Sequence, residues 1–172
     1  MVAAHPGTPQ IWEWLKEVPD PEIPVLSVVD LGIVREVEWS GSDGDQLVVT
    51  ITPTYCGCPA TDVIASDIRR MLAERGLLSV AIRRRLSPAW TTDWMSDDAK
   101  ARLREYGIAP PPKRLTQVEG GELLRPAKRQ PVACPHCGSV RTQAISRFGS
   151  TPCKALYRCL DCLEPFDAFK QH

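Results

Sequence analysis

The pattern Cys134-Pro135-His136-Cys137, then 21 residues, then Cys159-Leu160-Asp161-Cys162 constrains this chain more than any other feature. Each C-x2-C pair turns two thiolates toward one point. Four sulfurs at such a point suit tetrahedral zinc or, alternatively, an iron–sulfur centre. The segment that holds them, residues 133–172, is too short to fold on an apolar core alone, so the ion must hold it together. Within it, Thr142 to Phe148 and Lys154 to Arg158 flank Gly149-Ser150-Thr151-Pro152 as in a hairpin, and Pro165 to Lys170 adds a third strand. The expectation is a β zinc ribbon with a structural ion on Cys134, Cys137, Cys159 and Cys162. A closed site of this kind catalyses nothing. His136 and His172 are competing ligands that four thiolates make unnecessary. Cys153 remains as an extra thiol: an incidental buried group, a spare ligand or a relay.

A second thiol pair lies in Thr52-Pro53-Thr54-Tyr55-Cys56-Gly57-Cys58-Pro59, between a strand-like run at Gln46 to Thr52 and a helix-like run at Ala60 to Arg75. Pro59 fits the first helical position, which makes Cys58 the N-cap and puts Cys56 just outside it. The free N–H groups and dipole of a helix start favour an anion, hence a thiolate over a thiol. Cys56 and Cys58 are therefore candidates for cluster or thiol chemistry, against the plainer reading of two small cysteines in a tight turn.

The rest of the first 108 residues reads as a small α+β domain in two layers: helix, hairpin, helix, strand, helix. Ile11, Trp14, Leu15 and Val18 set a short helix over Gln10 to Val18, after a loose tail to Pro9. Pro19-Asp20-Pro21-Glu22-Ile23-Pro24 then enforces a stiff, extended loop. Its Asp20 and Glu22 are either solvated acids or groups that orient a metal or bond the thiol turn. Ile33 to Trp39 and Gln46 to Thr52 form a hairpin around Ser40 to Asp45, and Val80 to Leu86 is a third strand. Arg83-Arg84-Arg85 reads as a solvated sheet end, or else as a contact for an acidic partner. Ser96 caps a helix that runs to Tyr106 and closes at Gly107. Trp90 and Trp94 either bury against that helix or form a docking patch. Residues 109–132, rich in Pro, Gly and basic groups, form a linker, and the ribbon follows over 133–172.

Charge narrows the function classes only a little. The chain is formally neutral, with −5 over residues 1–95 and +5 over 96–172. Arg141, Arg147, Lys154 and Arg158 permit nucleic acid, but no dense basic and aromatic patch requires it. No apolar run is long enough for a membrane span, and the N-terminus does not read as a signal peptide. Seven cysteines without an export signal point to the reducing cytoplasm. No general base sits beside a nucleophile, and there is no phosphate loop and no carboxylate-and-His set for iron, so no catalytic residue is assigned.

Asp20-Pro21-Glu22-Ile23-Pro24, Val29-Asp30-Leu31-Gly32-Ile33-Val34 and the Thr52 to Pro59 stretch resemble the metal–sulfur cluster biosynthesis family over roughly residues 10–90. With the ribbon, including Phe148 to Cys159, the whole chain resembles the D components of bacterial phenylacetyl-CoA 1,2-epoxidase systems of phenylacetate catabolism. The resemblance implies an accessory role in the assembly or maturation of iron–sulfur or iron centres, with a transient iron–sulfur cluster as cargo. It implies the oxygenase and reductase components of that system as partners, and raises the question of a homodimer. The family's cysteine before proline maps onto Cys58; Cys56 is an addition to it. The alternative is a non-catalytic structural or docking subunit of the same oxygenase complex. A dithiol redox protein using Cys56 and Cys58 is a third reading.

Overall fold

The computed structural model describes residues 5–41, 45–55, 57–111 and 131–171. Cys56, most of the 109–132 linker and His172 thus lie outside the described residues. Two compact units make up the chain, Met1–Arg102 and Leu103–Gln171. The architecture is α+β, with a β ribbon after a mixed first unit.

In the first unit, α1 (Thr8–Leu15) starts earlier than the apolar period suggests. Pro9 belongs to its first turn, where a missing N–H is harmless. The helix buries Ile11 and Leu15. The proline-rich stretch after it is folded back rather than extended. Pro19 bridges Ser27, the Asp20 N–H donates to the Leu26 carbonyl at 2.8 Å, and Val28 N–H donates to Val18 at 3.0 Å. Ile23, Leu26, Val28 and Leu31 are almost fully buried, so apolar burial closes what the prolines stiffen.

β1 (Val34–Ser40) and β2 (Gln46–Ile51) pair antiparallel, with a bulge between Val34 and Glu36. α2 (Ala60–Glu74) then crosses over, so β3 (Val80–Arg84) returns parallel to β2, and the sheet order is β1-β2-β3. A parallel return needs such a crossover, which a two-residue turn cannot supply. Leu47, Val49 and Ile51 of the central strand are fully buried, as are Ile68 and Leu72 of α2.

Val48 and Thr50 lie on the other face of the sheet. Register places Glu36 and Glu38 beside them on β1, and Ala81 and Arg83 on β3. Arg83 pairs with Glu38 at 2.8 Å and Arg85 pairs with Glu36, both across the central strand. Arg84, of opposite parity, pairs instead with Asp62 in the first turn of α2. The arginine run thus forms internal ion pairs, split between the two faces by strand alternation.

A short 3-10 turn, Thr92–Trp94, precedes α3 (Asp97–Glu105), whose first turn is capped by the Ser96 hydroxyl accepting from Ala99 N–H at 3.0 Å. Trp90 is buried and donates its indole N–H to the Leu31 carbonyl at 2.9 Å. Trp94 packs on Gly32, and the Arg35 guanidinium lies 3.6 Å from its ring centroid. Gly32 has φ +66, and a Cβ there would come within 2.7 Å of the Trp94 Cβ, so only glycine fits. The tryptophans are packing groups for the Asp30-Leu31-Gly32 turn rather than an exposed patch.

In the second unit the sheet order is β4-β7-β6-β5. β5 (Thr142–Ser146), β6 (Lys154–Cys159) and β7 (Pro165–Phe169) form the antiparallel meander expected from the sequence. β4 (Ile108–Ala109) adds a strand parallel to β7, where the sequence suggests only the junction of domain and linker. Both its residues are buried, and Ala109 joins Cys134, Cys159, Phe166 and Ala168 in a small apolar cluster.

Candidate metal centre and thiol turn

Two turns bring the ribbon sulfurs together. In the first, Gly138 N–H donates to the Cys134 carbonyl and Cys134 N–H to the Ser139 carbonyl, both at 2.9 Å. In the second, the Asp161 and Cys162 N–H groups donate to the Cys159 sulfur at 3.4 and 3.5 Å. The Ser139 hydroxyl and the Arg141 guanidinium both bond Asp161, which ties the two turns to each other.

The Sγ atoms of Cys134, Cys137, Cys159 and Cys162 all lie within 4.8 Å of one another, with Cys134–Cys162 at 3.7 Å and Cys137–Cys159 at 3.5 Å. A tetrahedron with metal–sulfur bonds of about 2.3 Å has edges of about 3.8 Å, so a divalent thiophilic ion fits this set. Cys134 and Cys159 are buried, Cys137 is exposed and Cys162 is partly exposed.

The sulfurs are electrostatically unequal. The Cys162 N–H, with that of Asp161, draws the Cys159 thiol down to about 6 against the pull of burial. At Cys162 the Glu164 N–H also acts downward, but burial and the other three thiols win and push the group up to about 12. Cys137 is raised too: the Ser139 N–H lowers it, and the Cys159 thiol and burial outweigh that. Four adjacent thiols cannot all ionise unless a cation balances them, and binding such a cation expels the protons.

Cys153 cannot complete this set. It stands six residues before Cys159, one position ahead of β6, which is about 20 Å of extended chain. It is buried, with the Thr151 hydroxyl 3.0 Å from its sulfur. The spare-ligand reading of Cys153 for the ribbon ion is thus removed.

At the thiol turn, α2 begins at Ala60 and its cap is Pro59, with φ −66 and ψ −25. Pro59 already holds helical angles, so the Cys58 carbonyl accepts the Thr61 N–H at 3.2 Å and helical geometry starts directly after Cys58. The Cys58 N–H donates to the Tyr55 carbonyl at 3.2 Å, and its thiol is partly exposed. The sulfur therefore stands at a strand-to-helix turn and can meet an approaching metal or cluster. Asp20 is buried, and its Oδ1 accepts from the Glu22 and Ile23 N–H groups at 2.9 and 2.8 Å. Asp20 thus shapes the proline loop, and Glu22 beside it is half-buried. Asp30 is an anchor that the sequence does not single out: it accepts from Ser27 N–H and Oγ, both at 2.8 Å, and pairs with Arg102 at 2.7 Å. The 27–30 spacing of Ser and Asp was the available signal.

The comparisons with known proteins follow this division. A family described as "Iron-sulfur cluster assembly protein" matches residues 8–77, and the "PaaD zinc beta ribbon domain" matches residues 120–170. The D subunit of a "Putative 1,2-phenylacetyl-CoA epoxidase" of Escherichia coli (strain K12) is 49% identical over 167 residues, 97% of this chain and 94% of that one. The chain belongs to the PaaD family. Part of the chain is also similar to further proteins. A "Fe-S protein maturation auxiliary factor" of Porphyromonas gingivalis is 41% identical over 90 residues, 52% of this chain and 83% of that one. A solved DUF59 domain from Bacillus anthracis is 29% identical, covering 55% of this chain and 89% of its own, with a TM-score of 0.49. Among the described residues of this PaaD member, no helix is long and apolar enough to cross a membrane.

Proposed function

We propose that this chain is an accessory protein for the assembly or maturation of the iron–sulfur or iron centres of a phenylacetyl-CoA epoxidase system, in the cytoplasm. The observation that carries this reading is the likeness along 97% of the chain to the Escherichia coli epoxidase protein, joined to an iron–sulfur cluster assembly domain over residues 8–77. Cys58 is the thiol that meets the iron–sulfur cluster, which is cargo here, and Cys56 stands beside it in sequence. Asp20 and Glu22 belong to the loop that frames that domain's work. Cys134, Cys137, Cys159 and Cys162 hold zinc, whose part is to keep the ribbon folded. The ribbon, following the 109–132 segment, supplies contact with the oxygenase or reductase components.

The test is cluster content. Metal and acid-labile sulfide are measured in anaerobically purified wild type and in Cys58→Ala, together with cluster occupancy of the reductase in cells carrying each. Zinc near one per chain in both proteins is expected, with cluster content of the reductase lowered by Cys58→Ala. Full reductase occupancy in the variant would refute the assembly role and leave a docking role within the oxygenase complex.

A further inference from the structure

The end of the ribbon opposite the four cysteines has no part in metal binding, yet its loop is densely bonded. Thr142 on β5 pairs with Cys159 at the metal end, and Lys154 on β6 pairs with Phe169 at the other. Beyond that second end lies Arg147-Phe148-Gly149-Ser150-Thr151-Pro152-Cys153.

Many bonds fix this loop. The Ser150 N–H and hydroxyl donate to the Asp167 carboxylate at 3.2 and 2.6 Å. Gly149 N–H donates to the Lys154 carbonyl at 2.8 Å, Lys154 N–H to Thr151 at 3.0 Å, and Lys170 N–H to Cys153 at 3.0 Å. A Cβ on Gly149 would run into the Asp167 carboxylate, so a side chain there would displace the acid that holds Ser150. The Lys170 ammonium donates to the Pro152 carbonyl at 2.6 Å and lies 4.5 Å from the Phe148 ring centroid.

That stiffness presents apolar groups to solvent. Phe148 is 68% exposed. Ile145, the extra residue in a bulge between Ala144 and Ser146, is 55% exposed on the edge strand β5. A bulge at an edge re-aims a side chain and interrupts the ladder, which favours side-chain docking over strand addition. A single exposed apolar residue is ordinary. An aromatic ring carried on a hydrogen-bonded loop, with the Lys170 ammonium 4.5 Å from its centroid, is a different case, because the backbone ordering cost is met before binding.

Two exposed or partly exposed cations stand by the ring. Arg147 precedes it and Lys170 sits on it, while the acid at this end, Asp167, is engaged by Ser150 and, at 3.7 Å, by Lys154. Asp161 and Glu164 belong to the metal end of the sequence. We infer that the tip formed by Phe148, with Ile145, Arg147 and Lys170, is the docking surface for an acidic protein partner. Phe148 enters an apolar recess in that partner, and the two cations meet carboxylates on its rim. The inference rests on the proposed function for the partner's identity and specifies the face it uses.

The test uses the full chain, metal-loaded, against purified oxygenase and reductase components in separate titrations. The variants are Phe148→Ala, Arg147→Glu with Lys170→Glu, and Leu78→Ser as an exposed apolar control on the first unit. Binding of wild type to one component is expected, weakened about tenfold or more by each tip variant and unchanged in the control. A wild-type Kd in Phe148→Ala would overturn the docking face and leave the proposed function standing. No binding of wild type to either component would overturn both the partner assignment and the face. Salt-dependent binding of the tip to a single-stranded oligonucleotide, with no binding to either component, would reassign it to nucleic acid.

Discussion

Gly138 and Leu163 occupy the same place in the two cysteine turns. Each follows the second cysteine of its pair, and each has a positive φ, 75 and 65. The turns are alike in backbone and unlike in residue. Nothing lies within 4 Å of a Cβ built at Gly138, so backbone conformation alone opposes a side chain there. Gly138→Ala should lower the stability of the metal-loaded chain by about 1 kcal/mol, the left-handed strain of about 1–2 kcal/mol being partly offset by the lesser freedom of the unfolded alanine. Leu163→Gly should be neutral or stabilising by a few tenths, because relief of φ strain is offset by the greater freedom of an unfolded glycine, worth about 0.4–1 kcal/mol. Denaturant unfolding of both variants measures this, and equal losses would show that the turns are not equivalent.

Removing the metal should melt one unit and spare the other. Among the described residues, the ribbon's apolar cluster has Ala109, Cys134, Cys159, Phe166 and Ala168 as its buried members. By contrast, the first unit buries Ile11, Leu15, Leu47, Val49, Ile51, Ile68 and Leu72. A chelator strong enough to strip zinc should abolish amide protection over β5, β6 and β7 and leave it over β2 and α2. Hydrogen exchange resolved by residue reads both at once. Protection kept across the ribbon after the metal is gone would show that the small core suffices.

Asp30 ties the Ser27 turn to Arg102, and that tie should be acid-sensitive. Burial pushes its carboxyl up, but the Ser27 N–H and the Arg102 guanidinium outweigh this and hold it below the usual 3.8. A carboxyl lowered on folding contributes stability that is fully present above its unfolded value. The contribution is lost as pH falls through the folded value. The wild type should therefore lose stability on going from about pH 5 to pH 3, and Asp30→Asn should lose less over that interval. At pH 7 the variant should already be weaker by about 1.5–3 kcal/mol, the usual worth of hydrogen bonds to a charged group. Parallel pH curves for the two proteins would remove Asp30 from the account.

The sequence revealed what obeys a period or a ligand spacing. The four ribbon sulfurs converge because C-x2-C is a local turn, and the hairpin strands alternate visibly around Gly149. The helix after the thiol turn was legible from Ile64, Ile68 and Leu72. Long-range partners were hidden. Nothing local in Arg83-Arg84-Arg85 says that Glu36, Glu38 and Asp62 will face it. Ile108–Ala109 is too short to read as a strand and exists because β7 offers it an edge. The prolines at 19–24 suggested extension, and only the burial of Ile23 and Leu26 explains why that segment folds back.

The hydroxyl of Thr50 offers the sharpest test of the sheet. Thr50 is fully buried, and its Oγ1 has no hydrogen-bond partner among the described residues. It lies on the central strand beside Glu36 and Arg83, on the face that the Arg85–Glu36 and Arg83–Glu38 pairs span. Those pairs are exposed and contribute little by attraction, but their stems exclude water from the strand beneath. A hydroxyl there carries its desolvation cost, about 1–3 kcal/mol, without a compensating bond. Thr50→Val keeps the branched shape and removes the polar atom, so it should raise stability by about 1 kcal/mol or more. Thr50→Ser keeps the hydroxyl and removes the methyl, and should lower it. Urea unfolding of the two variants decides the matter: a destabilised Thr50→Val would mean that the hydroxyl is satisfied in solution, and the ladder would then be open to water.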